Sequence, residues 1–262
     1  MATTVRTYAV ESLPLFHFHP GSMVLALRSS SNEPLREEVL DLAPATGARA
    51  LHVGARTHVH SDALRRARRL GLAILGEVRV EEGPFTEQVS RLDGALCDMT
   101  ACLRMSDLRV REVLDELHSS LSTVWLELKV HLLEELGDQP IDRLTFLLSE
   151  RLGPMIPLHL VPSSVGLDSL ESHKTARWIA ISNGLHWVYG EPEPASRNTW
   201  CPGCSELLVT RAPGQGGVDS LDRGRCPRCG WSVPGVFSGR ESIAAGHRFI
   251  APAMRPATAL SL

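Results

Sequence analysis

Two cysteine knuckles, Cys201-Pro-Gly-Cys204 and Cys226-Pro-Arg-Cys229, carry the strongest chemical signal in the sequence. Each Cys-x-x-Cys holds two sulfurs on one tight turn, and two such turns close a tetrahedron of thiolates. Four sulfur ligands suit zinc or a single iron, and zinc is the expected ion. With no coordination position left for water or substrate, the ion would hold a fold together rather than run a reaction.

The 11 histidines come next. His17 with His19, and His58 with His60, have the i, i+2 spacing that puts both rings on one face of a strand. His52 lies on the strand before the second pair, so an alternative is a second metal site, although no carboxylate partner stands out. His159, within the apolar run Ile156 to Val161, reads as a hydrogen-bonded core histidine without a role. Cys97 and Cys102 read as packed thiols. No Gly-rich phosphate loop and no G-x-S-x-G elbow occur, so nucleotide-binding and serine-hydrolase readings lack support. Glu37 with Glu38, and Glu134 with Glu135, read as solvating charges.

The elements that must position these groups follow from apolar periodicity. Short apolar runs at 23–27, 50–53, 73–78, 94–97, 124–130, 156–161 and 185–189 read as strands, and helical-period segments fill the gaps between them. Val110, Val113, Leu114 and Leu117 mark one buried helix face, and Ser61 and Ser169 are the expected helix caps. Six strand-helix units before a last strand suit a barrel or a doubly wound sheet, and periodicity does not choose between them. In the helix carrying Arg65, Arg66, Arg68 and Arg69, the residues Ala63, Leu64, Ala67 and Leu70 form the buried side and the arginines a solvated one. Periodicity breaks after Gly190, where the cysteine module begins. The expected division is therefore a strand-helix domain over 1–190, a four-cysteine ribbon over 191–237 and a tail over 238–262.

A net charge of -3 gives no global pull toward nucleic acid or anionic membrane. No apolar run is long enough to span a bilayer and the start lacks a signal-peptide core, so a cytoplasmic protein is expected.

The segments PLFHFHPGSMVLAL at 14–27, LDGALCDMTACL at 92–103, IPLHLVP at 156–162 and GLHWVYGEPEP at 184–194, followed by both knuckles, occur in that order. Together they resemble the radical SAM proteins of the AmmeMemoRadiSam system, relatives of the pyruvate formate-lyase activating enzymes. The resemblance implies a partial (β/α)6 barrel with a C-terminal ribbon. It also implies a C-x3-C-x2-C loop after the first barrel strand, holding a 4Fe–4S cluster that binds S-adenosylmethionine. This chain departs from that pattern. Leu27 is followed by RSSSNEPLREEVLDLA with no cysteine, and Ser29, Ser30 and Ser31 cannot replace thiolates. Gly54, Ala55 and Arg56 stand where the family has an Asn-Glu-Pro turn. Asp98 matches an aspartate of the family, whereas Thr100 replaces its lysine. Neither cluster nor S-adenosylmethionine is expected.

The expectation is a radical-SAM-like, non-catalytic scaffold or partner subunit with a structural metal at Cys201, Cys204, Cys226 and Cys229. The resemblance points to Memo or Ammecr family proteins as partners. Two alternatives stand beside it. One is an active enzyme, either of the radical SAM type or with histidine-bound metal at the barrel mouth. The other is a nucleic-acid-binding ribbon using Arg211, Arg223, Arg225 and Arg228 beside Trp200 and Trp231.

Overall fold

The computed structural model describes residues 4–28, 40–41, 43–54, 61–162, 167–190, 194–211 and 218–237. Seven strands run parallel in chain order: β2 (Met23–Arg28), β3 (Ala48–Val53), β4 (Ala73–Arg79), β5 (Gly94–Asp98), β6 (Trp125–Leu132), β7 (Leu158–Pro162) and β8 (Val188–Gly190). All seven overlap predicted strands, the last by only two residues, Val188 and Tyr189. An eighth, β1 (Thr4–Ala9), pairs antiparallel with β2 and covers its free edge. Its sequence TVRTYA is too polar to read as an apolar run, and the sequence reading misses it.

Six helices separate the parallel strands: α1 (Ala43–Thr46), α2 (Ser61–Arg69), α3 (Phe85–Val89), α4 (Asp107–Ser120), α5 (Gln139–Leu152) and α6 (Leu167–Ser182). A doubly wound sheet needs a reversal of strand order, and the sequential order here excludes it. Parallel crossovers of one hand then put every helix on the same face. Burial agrees. Ala95, Cys97, Leu126, Leu128, Val130 and Leu158 pack with Val110, Leu114, Leu144 and Leu148 of α4 and α5, and Leu51 and Ile74 pack with Ala63 and Ala67 of α2. The alternate residues of the same strands, among them His52, Glu77, Leu96, Glu127 and Lys129, look away from the helices.

Two local expectations are corrected. Ser169 lies inside α6, not ahead of it, while α4 is capped by Ser106, whose side chain accepts from the Arg109 N–H. Leu70 falls in the turn after α2 and is 40% exposed, because the helix ends before its periodicity can bury it. Arg66 and Arg68 do face outward, paired with Asp41 and Asp93.

The amino-end half of the helix-free face is filled by the segment between β1 and β2. Val10, Leu15 and Phe18 pack on Val24, Ala50, Leu75 and Leu96. Phe18 lies so close to Gly94 that a Cβ there would sit 2.8 Å from the ring. The cysteine module, with β9 (Thr199–Trp200), β10 (Leu207–Thr210) and β11 (Val218–Asp219) in a separate antiparallel sheet, docks on this segment. Leu208, Val209, Val233, Cys201 and Cys226 share a core with Phe16, Met155, Trp187 and Tyr189.

Candidate functional site

Among the described residues, one group of three or more His, Cys, Asp or Glu side chains is placed to hold a metal ion, and it is the four cysteines, whose sulfurs all lie within 4.8 Å of one another. Cys201 Sγ is 3.5 Å from Cys229 Sγ, and Cys204 Sγ is 3.6 Å from Cys226 Sγ. A tetrahedron with metal–sulfur bonds of about 2.3 Å has edges of about 3.8 Å, and these two sulfur–sulfur distances lie close to that, so the set could hold a metal such as zinc. Sequence dictates the two turns. The Ser205 N–H closes on the Cys201 carbonyl and the Gly230 N–H on the Cys226 carbonyl, at 2.8 and 2.9 Å, and each knuckle ends in the left-handed region, Ser205 at φ 58° and Gly230 at φ 75°. Trp231 of one knuckle lies against Gly203 of the other, where a Cβ would come within 2.8 Å of the indole.

A buried polar network joins this module to the sheet, and most of it is invisible in the sequence. Glu127, on the helix-free face of β6, is wholly buried and accepts four bonds: from the Phe16 N–H (2.8 Å), the His17 N–H (2.7 Å), His159 Nε2 (2.7 Å) and Trp125 Nε1 (3.1 Å). Burial pushes its carboxyl up, but the bond from His159 and the neighbouring imidazoles outweigh burial and hold it below the usual range. Burial lowers His159, which therefore stays neutral and donates from Nε2. His17 is driven by burial to about 4.

The tautomer of His17 follows from its partners. Nδ1 lies 2.6 Å from the Pro234 carbonyl, which only accepts, so Nδ1 carries the proton and Nε2 accepts from the Tyr189 hydroxyl at 2.6 Å. Tyr189 in turn accepts from Thr199 Oγ1 at 2.9 Å, and Thr199 accepts from Arg211 Nη1 at 2.8 Å. Arg211 also donates to the Phe16 carbonyl and places its guanidinium 4.4 Å from the centre of the Phe16 ring.

These placements revise three expectations. His17 and His19 do not share a strand face, since the segment turns at His19, whose φ is 46°, and His17 is sealed under Pro234. Carboxylate partners for histidines do exist, Glu127 for His159 and Glu77 for His52, the latter 3.9 Å away. Arg211 is buried and spent on the Phe16 and Arg197 carbonyls and Thr199, so it cannot serve a phosphate, and Arg228 faces Glu206. His159 is the satisfied core histidine expected of it. His58, His60, Ser29 to Ser31, Arg56 and the tail at 238–262 lie outside the described residues. Cys97 and Cys102 are buried, and burial raises both thiols, Cys102 to about 12.

At the opposite, carboxyl end of the same face a second polar group gathers. Lys129 Nζ lies 3.3 Å from Glu77 Oε2 and 3.7 Å from Asp98 Oδ2, and His131 Nε2 is 3.8 Å from the same Asp98 oxygen. Thr100 ties down the other Asp98 oxygen with its hydroxyl (2.5 Å) and its N–H (3.0 Å). Burial pushes the Asp98 carboxyl up, yet the two Thr100 bonds and Lys129 leave it below the ordinary range. Three adjacent strands supply this group, and its signal in the sequence is the polar residue at alternate positions of β6, with Glu77 and Arg79 at the end of β4, inside otherwise apolar runs.

No protein-family model matches the chain. It is 31% identical over 124 residues to an uncharacterized protein of Methanocaldococcus jannaschii, in an alignment covering 42% of this chain. The match spans 37% of that archaeal protein's length. No helix among the described residues is long and apolar enough to cross a membrane.

Proposed function

We propose that the chain is a barrel of the radical SAM type that works without a cluster, and that its four cysteines hold a structural zinc ion clamping the ribbon to the amino ends of the sheet. The sulfur geometry carries this reading: four cysteine sulfurs all lie within 4.8 Å of one another, enough ligands to close a tetrahedral site with no position left for a substrate. The sequential run of seven parallel strands with helices on one face supports the barrel. The cysteine-free stretch after β2 supports the loss of the cluster, and the two remaining cysteines are buried too deeply to ligate one. On this reading the protein is a scaffold or partner subunit, with Memo or Ammecr family proteins as the partners to test. Metal analysis by mass spectrometry and a visible spectrum of the anaerobic protein decide the matter. One zinc per chain in a colourless protein, lost in the double variant Cys201→Ser, Cys226→Ser, is the expected result. A stoichiometric iron-sulfur cluster that cleaves S-adenosylmethionine overturns it.

A second reading, an enzyme at the carboxyl end of the sheet, has one observation in its favour. Glu77, Asp98, Lys129 and His131 converge where parallel α/β sheets bind their ligands.

A further inference from the structure

The chain has 27 basic residues, Lys and Arg together, and Lys129 and Lys174 are its two lysines. Lys174 is an exposed helix residue paired with Glu171. Lys129 is 14% exposed, on the helix-free face of β6, between two carboxylates. Where this fold needs a buried cation for structure it uses arginine, as at Arg211, which satisfies several acceptors with a rigid fork. Arginine would serve equally in a purely structural pair with Glu77 and Asp98. What lysine offers and arginine does not is an amine that can give up its proton and attack carbon.

The surroundings suit that chemistry. Glu77 and His131 are 40% and 39% exposed, so the amine lies under a half-exposed polar rim rather than in the closed core. Two carboxylates within 4 Å are proton acceptors, and Asp98 is fixed by Thr100 so that its free oxygen faces the amine. Among the described residues His52 Nε2 is buried without a hydrogen bond and faces Glu77 at 3.9 Å, on the same side of the sheet as Lys129.

On the reading that the carboxyl end of the sheet is an active site, we infer that Lys129 forms an imine with a small aldehyde or ketone, with Glu77 and Asp98 moving the protons. The ammonium passes one proton to Glu77, and the freed lone pair attacks the carbonyl carbon. The C–N bond forms as the π pair moves to oxygen, which takes the proton back from Glu77 to give a carbinolamine. A second nitrogen proton travels through Asp98 to that hydroxyl, the C–O bond breaks, and water leaves a protonated C=N bond. Two protons leave nitrogen and both end in the water, so no oxidant or metal is consumed.

With two lysines, peptide mapping assigns the trapped adduct to a single residue. The full chain is incubated with pyruvate or glycolaldehyde, reduced with borohydride and mapped by peptide mass spectrometry. The expected adduct sits on Lys129, at least about tenfold over the more exposed Lys174, is absent in Lys129→Arg, and forms about tenfold or more slowly in Glu77→Gln at an unchanged unfolding midpoint. Labelling of Lys174 alone, equal labelling of both, or none with either carbonyl compound overturns the inference. The thermal shift produced by the same compounds on Lys129→Arg separates the two levels of failure. A shift without any adduct leaves the active site standing and removes the imine, whereas neither shift nor adduct removes both.

Discussion

Glu127 and His159 meet at 2.7 Å with both side chains closed off from solvent, and the remaining lone pairs of the carboxylate are filled by the backbone N–H groups of Phe16 and His17 and by the Trp125 indole. A buried charge is tolerable only when it is this completely bonded. One strand residue thereby fixes the course of a segment 110 positions away in sequence.

Glu127→Gln tests that role. Glutamine keeps the shape but turns an N–H2 toward groups that are all donors, so at least one buried donor loses its acceptor. The expected loss is about 1–3 kcal/mol for each buried donor left unpaired, read in urea-induced unfolding. A loss within about 1 kcal/mol would show that the segment is held mainly by its apolar contacts.

The second prediction concerns pH. His17 drops from 6.5 to about 4 on folding, and His159 shifts in the same direction. Between those two values the unfolded chain binds protons that the native state refuses, so stability is full above pH 6.5 and falls as pH is lowered toward 4. For His17 alone the fall amounts to about 3 kcal/mol. His17→Asn, less stable at pH 7.5, should lose less than the native protein over this window, and parallel melting curves from pH 7.5 to 4.5 check it.

Metal removal should reach beyond the ribbon. The His19 N–H donates to the Val236 carbonyl and the Val236 N–H to the His17 carbonyl, so knuckles and amino-end plug share a ladder. Strong chelation, or Cys226→Ser, is expected to raise hydrogen exchange over 199–211, 218–237 and also 13–22, while α4 and α5 stay protected. Loss of protection confined to the ribbon would mean that the plug holds without it.

Gly235 supplies a sharper probe of the same joint. Its φ is 152°, and a Cβ there would sit 2.6 Å from the His17 carbonyl oxygen and 2.5 Å from the Phe237 ring. Gly235→Ala should therefore cost about 1–3 kcal/mol or more, and weaken metal retention in a chelator competition as undocking exposes the knuckles.

The parallel strands were legible because strands buried on both faces read as continuous apolar runs, and the knuckles because their chemistry depends on spacing within four residues. What escaped is long-range or polar. β1 alternates Thr, Arg and Tyr and has no run to recognise. Glu127, Lys129 and His131 are scattered among apolar residues of one strand, and only the pleat, which turns every second side chain to the helix-free face, brings them to their partners. His17 and His19 obeyed the right periodicity for an element that does not form, since the turn at His19 breaks the strand geometry that the spacing assumes.

The bond from His17 Nδ1 to the Pro234 carbonyl spans 217 positions, and this separation bears on biosynthesis. The amino end of the sheet cannot close until residue 236 has left the ribosome, long after the strands it covers have been made. Contacts of such separation are the slowest to form. During that interval Phe16, Trp187 and Tyr189 stand open to other chains. If the four cysteines take their metal only then, its supply sets how long the nascent protein stays prone to aggregation, and chain made under metal depletion should partition into the pellet rather than the supernatant on centrifugation of the lysate.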